Sequence, residues 1–311
     1  MSTGVPQGGS LSSALFNMGQ STSIRRASLA HPAVSILLIA DDTHVVGKPE
    51  DVIAAILTIR DLYSAIGLAL AATTPSKNVI YGLGSNYTAA QRLMAFEADL
   101  HWIPSSLGLI VGGTPIGSSA YMIEMVNKTV DGIISELLQF ETYTQGPNGT
   151  MRARTQTIFK LIQQCSAQQL THLLRTCPPS TTAHAARRLD AAIANTIFRL
   201  TDSMQYLPPE GSIQMRIILN RLFLAVRLGG CGLINSDETS AAAYTASLLF
   251  CAPKMRDFCP TVGTSAIAAR STLELQNTIF SLRARGVQCL DPVDNTPVSY
   301  THLTLPTILR V

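Results

Sequence analysis

The feature that most restricts how this chain can fold is an apolar run, Leu37-Leu38-Ile39-Ala40, that stops at two adjacent carboxylates, Asp41 and Asp42, and resumes as Thr43-His44-Val45-Val46. Two like charges side by side repel, and each loses hydration beside a core. A strand over 33–40, a turn at Asp41-Asp42 and a return strand over 43–46 put both acids where the chain reverses. A cation between them removes the conflict, and hard divalent ions such as Mg²⁺ prefer oxygen ligands of this kind. The competing reading is an ordinary acidic turn, because aspartate is a frequent turn residue.

A second string lies just upstream, Gly4-Val5-Pro6-Gln7-Gly8-Gly9-Ser10-Leu11-Ser12, followed by Ser13, Leu15 and Phe16. Downstream come Gly67-Leu68-Ala69-Leu70 leading to Ser76-Lys77, and then Leu107-Gly108-Leu109-Ile110-Val111-Gly112-Gly113-Thr114-Pro115-Ile116-Gly117. In this order, the four strings resemble the palm of reverse transcriptases, most nearly those of non-LTR retrotransposons and group II introns. Arg227-Leu228-Gly229-Gly230-Cys231-Gly232-Leu233 extends the likeness more loosely to a segment such proteins often show after their thumb helices.

The resemblance implies an RNA-directed DNA polymerase, with Asp41 and Asp42 as catalytic, metal-binding carboxylates for Mg²⁺ or Mn²⁺. It implies that Gly4, Pro6, Gln7 and Gly8 approach the template–nucleotide pair and that Lys77 sits near the triphosphate. Gly112 and Gly113 fall in the hairpin that meets the primer. The implied partners are an RNA template, a DNA primer, a deoxynucleoside triphosphate and a missing N-terminal half of the polymerase. Two departures stand out. Ile39 replaces the aromatic residue usual before the Ala-Asp-Asp core. The palm also needs a third carboxylate ahead of the Gly-x-x-Gln loop, and none of the three residues before Gly4 is acidic. Asp61 is no substitute, since it falls inside a helical apolar repeat. The expectation for these 311 residues alone is a fragment with negligible polymerase activity. The alternative is a non-catalytic, nucleic-acid-binding remnant of a retroelement.

Charge supports a nucleic-acid partner. The net charge is only +3, yet residues 151–228 hold ten Lys/Arg against three acids, while the rest of the chain holds 13 against 17. Arg152, Arg154, Lys160, Arg187 and Arg188 are the candidates for contact with a phosphate backbone. A merely solvated helix face is the plainer reading of the same excess.

Hydrophobic content of 46% with 14% charged residues excludes a disordered polymer. No apolar stretch reaches the roughly 18 residues that span a bilayer. The first residues lack the basic-then-apolar pattern of a secretory leader. Six cysteines without a C-x-x-C pair read as reduced thiols, and the expected location is intracellular, cytoplasmic or nuclear.

The fold class expected is α+β: a partial palm with a small antiparallel sheet and helices over 1–120, then an all-α thumb-like region over 121–235 and a C-terminal helical region over 236–297. Helices are expected over 10–20, from Pro49 to Gly67, and over 88–98, 121–140, 154–174, 183–204, 213–228, 241–250 and 266–285, with a short strand at 78–81. Residues 298–311 resemble the translation of a sequencing-library adapter, and are read as a non-native tail.

Overall fold

A computed structural model describes residues 11–39, 42–68, 78–82, 88–104, 106–144, 151–258 and 273–284. The expected tail at 298–311 lies outside the described residues. The chain divides into two compact units, 1–109 and 110–311.

Unit 1 opens with α1 (Ser12–Ala30), which runs ten residues past the expected end. Nothing in residues 21–30 breaks a helix; Pro32, which disfavours helical backbone at the residue before it, is the first such signal. Strands β1 (Ser35–Ile39) and β2 (Asp42–Val46) pair antiparallel, in a register running from Ser35 opposite Val46 to Ile39 opposite Asp42. Gly47 follows because a β-carbon there would lie 2.7 Å from Val34 Cγ1. Helix α2 (Pro49–Ala65) starts with proline at its first position and Glu50 and Asp51 in its first turn, where the helix dipole favours acids. It buries Val52, Ile53, Ala55, Ile59 and Tyr63. The Tyr63 hydroxyl donates to Gln20 Oε1 at 2.9 Å, fastening α2 to α1.

Strand β3 (Val79–Tyr81), helix α3 (Ala89–Glu97) and strand β4 (His101–Ile103) form a crossover, and β3 and β4 pair in parallel. The expected antiparallel pairing is present in β1–β2, and a separate parallel pair, β3–β4, adds to it within an α+β architecture. Three-residue strands carry too little alternation to be read from sequence. Helix α3 begins in a capping box between Thr88 and Gln91, and Gln91 Nε2 also donates to Glu50 Oε1 at 2.6 Å. Trp102 packs against the unit-1 core with the Arg92 guanidinium 4.8 Å above its ring. The outward faces keep large apolar side chains: Met18 is 71% exposed and Phe96 is 78% exposed. Strand β5 (Gly108–Val111) leads into β6 (Thr114–Gly117), its pairing partner.

Unit 2 is a helical bundle. Helix α4 (Ser119–Thr144) buries Val126, Val130, Ile133 and Leu137, a spacing that lines one helical face. That face packs on α7 (Pro179–Leu200), which buries Ala186, Leu189, Ile193 and Ile197 at the same period. Between them in sequence lie α5 (Met151–Gln164), a 3₁₀ turn at Ser166–Gln168 and α6 (Thr171–Thr176). The single helix expected over 154–174 is thus interrupted. No Gly or Pro causes the break; it lets Leu170, Leu173 and Leu174 turn into the core beside Ile158 and Ile162. Helix α8 (Ile213–Phe223) is capped by the Ser212 hydroxyl, and α9 (Ser236–Phe258) packs on α6 and α7. Helix α10 (Leu273–Ala284) packs on α9. Cys165, Cys177, Cys231 and Cys251 are free thiols. Among the described residues no helix is long and apolar enough to cross a membrane.

Candidate functional site

The β1–β2 register sets Asp42 as the first residue of its strand, directly opposite Ile39, and its side chain is exposed. The run of aliphatic residues in β1 pairs with the return strand, and Asp42, expected in the turn, is the first residue of that strand. Asp41 lies outside the described residues, as do Gly4, Pro6, Gln7, Gly8 and Lys77. Carboxylate oxygens are the donor type a hard divalent ion takes, so the chemistry of this pair fits Mg²⁺ or Mn²⁺. Among the described residues no group of three or more His, Cys, Asp or Glu side chains is gathered. His31 serves locally: its Nε2 is 2.8 Å from Thr58 Oγ1 and joins the end of α1 to α2.

Gly112 and Gly113 form the two-residue turn between β5 and β6, with φ of 54° and 79°. Positive φ at both central positions is the backbone a tight hairpin requires, and glycine reaches it without a β-carbon clash. His172 of α6 lies against this turn, its Nε2 3.1 Å from the Gly112 carbonyl oxygen and 3.2 Å from Thr114 Oγ1.

The basic candidates divide into three kinds. Arg152 and Arg154 lie in the first turn of α5, and their side chains are outside the described set. Lys160 is exposed on α5, with its ammonium donating to Gln163 Oε1 at 2.8 Å, and Arg187 is exposed on α7. Arg188 is committed within the protein: it donates to Asn127 Oδ1 at 2.9 Å and to Asp131 Oδ1 at 2.6 Å. A candidate for phosphate contact by sequence, it ties α7 to α4 through these two partners. Lys160 also borders a cavity of about 400 Å³ between α5 and α7, lined by Phe159, Ile197, Leu200, Thr155, Gln156 and Thr201.

The glycine-rich string after α8 is a compact backbone knot. A 3₁₀ turn at Val226–Leu228 ends in Gly229 with φ of 82°, and Gly232 has φ of 70°. The Cys231 N–H donates to the Arg221 carbonyl at 2.9 Å and the Gly232 N–H to the Leu224 carbonyl at 2.8 Å. From α5, the buried Gln163 amide donates to the Cys231 carbonyl at 2.9 Å. A β-carbon on Gly230 would sit 2.0 Å from the Leu224 carbonyl oxygen. These glycines exist for space and conformation within the fold.

Sequence reasoning did not select His172, Gln163 or Asp190. Asp190 alone carried a signal: it sits on the apolar face of α7, between Ala186, Ile193 and Ala194, where an unpaired acid is costly. No protein-family model matches the chain, and neither a curated protein nor a solved structure matches it significantly.

Proposed function

We propose that this chain is part of a retroelement reverse transcriptase: a segment of the palm followed by a helical thumb that grips primer–template duplex. The observation that carries the reading is the β1–β2 register, with Ile39 opposite Asp42, which suits an acidic pair at a hairpin turn. In support stand the two-glycine hairpin at Gly112-Gly113 and the concentration of Lys and Arg on the helices of unit 2. Asp41 and Asp42 would hold Mg²⁺ or Mn²⁺, and such ions, when bound, neutralise charge on a nucleotide's phosphates and polarise the reacting oxygens. The residues' own contribution would be hard oxygen donors, with Asp42 offering its carboxylate from the first residue of β2. Lys160 and Arg187, with Arg152 and Arg154, would meet the duplex backbone.

The test is affinity for an RNA–DNA primer–template as salt is varied. Phosphate contacts release counterions, so affinity should fall with a log–log slope of about 0.9 per contact on duplex DNA, or somewhat less where the helix is less charged. With several such contacts the slope exceeds about 2. A flat response contradicts the proposal. Asp41-dependent nucleotide incorporation by the chain would assign it a complete polymerase site; binding without incorporation is the behaviour of a fragment or of a non-catalytic remnant.

A further inference from the structure

One ring nitrogen of His172 spans both sides of the β5–β6 turn. The Gly112 carbonyl oxygen carries no proton, so at 3.1 Å the imidazole Nε2 must carry one and donate it. Thr114 Oγ1, 3.2 Å away, shares the same donor from the other strand. Gly113 lies between these two contacts, where a β-carbon would come within 3.4 Å of Nε2. The contact is exposed, so burial of apolar surface does not explain an imidazole at this position. Helix α6, which supplies it, packs on α7 and α9, and α7 also carries Arg187. The two-residue turn, whose second strand packs on α4 and α6, is thereby also tied through a hydrogen-bonded side chain to the helices that bear the exposed cations.

We propose that His172 is a positioning residue: it fixes the Gly112–Gly113 turn relative to the basic helices, so that the turn meets a recessed primer end while those helices hold the adjoining backbone. This rests on the reading of the chain as a polymerase segment that binds primer–template. It adds a residue, and a discrimination between duplex ends, that the reading by itself does not contain.

Fluorescence anisotropy with the full chain tests it, using a DNA primer recessed on an RNA template and a blunt RNA–DNA duplex of equal length. The wild type should bind the recessed end more tightly. His172→Ala should reduce that preference about fivefold, the size of one lost hydrogen bond, while affinity for the blunt duplex stays within about twofold. His172→Gln, whose amide can reach the same carbonyl, should restore most of the preference. If the wild type prefers the recessed end and His172→Ala keeps that preference, the role of His172 is overturned while the polymerase reading stands. Equal weakening of both duplexes would make His172 merely structural and also overturn it. No preference in the wild type overturns the positioning role together with the primer-side assignment of the turn, whereas loss of salt-dependent duplex binding is what removes the reading itself.

Discussion

Asp190 on α7 caps α9 at Ser236: its Oδ1 accepts the Ser236 N–H and its Oδ2 the Asp237 N–H, each at 2.9 Å. The first N–H groups of a helix have no partner within it, and here a carboxylate 46 residues earlier supplies two acceptors. Because Asp190 is only 8% exposed, the pair is both a hydrogen-bonded cap and a buried charge. Burial pushes its carboxyl up to about 6, against the opposing pull of the two backbone N–H groups, with Asp237 adding to the rise.

Asp190→Ala should destabilise unit 2 by about 2 kcal/mol, since it removes a cap and leaves two N–H donors short of an acceptor in a partly dry site. Asp190→Asn keeps one acceptor and should cost less. Denaturant midpoints of the two variants measure the difference.

The same carboxyl sets a pH dependence. Between its ordinary value of 3.8 and about 6, the folded chain holds a proton that the unfolded chain releases. Stability from this group is therefore greatest below pH 4 and falls as pH rises through 6, by up to about 3 kcal/mol. Unfolding free energies of wild type and Asp190→Asn, compared at pH 4, 5, 6 and 7, should show this fall only in the wild type.

Two glycine substitutions should separate space from conformation. At Gly230 an added β-carbon meets the Leu224 carbonyl oxygen at 2.0 Å, and backbone has to move. Gly211 has φ of 77° with nothing within 4 Å, so alanine there meets only the left-handed backbone penalty. Gly211→Ala should cost about 1 kcal/mol and Gly230→Ala about 3 kcal/mol. Equal midpoints would show that the knot after α8 is looser than its backbone hydrogen bonds imply.

How far the fold is legible in the sequence depends on whether its signals are local. The β1–β2 hairpin, α2 and α3 follow from an apolar run ended by acids, a proline with acids after it, and a Thr88–Gln91 box, all within a few residues. Helices α4 and α7 follow from an apolar period sustained over several turns. The break between α5 and α6 goes with the burial of Leu170, Leu173 and Leu174 in the core, a tertiary feature that no Gly or Pro nearby announces. The parallel β3–β4 pair depends on two three-residue strands separated by a helix. At the candidate site, the acidic pair and the Gly-Gly turn are readable by residue type. The partners of Arg188 and His172 are not, because Asp131 and Gly112 are 57 and 60 residues away in sequence.

Arg187 and Arg188 should behave oppositely although they are adjacent. Arg188→Ala removes the tie to Asn127 and Asp131 and should lower stability by about 0.5 to 1 kcal/mol, the range for a partly exposed pair, with little change in duplex binding. Arg187→Ala should leave stability unchanged and reduce the salt slope of duplex affinity by about 1. Thermal melting and salt-dependent anisotropy on the same two variants check both halves.

Asp41 and Asp42 are proposed to hold divalent cations against phosphates, and Mn²⁺ titration tests that role. With primer–template and nucleotide present, water-proton relaxation should report Mn²⁺ bound by the chain, and Asp41→Asn or Asp42→Asn should each weaken it at least about tenfold. Mn²⁺ affinity that is unchanged in both variants would contradict the claim.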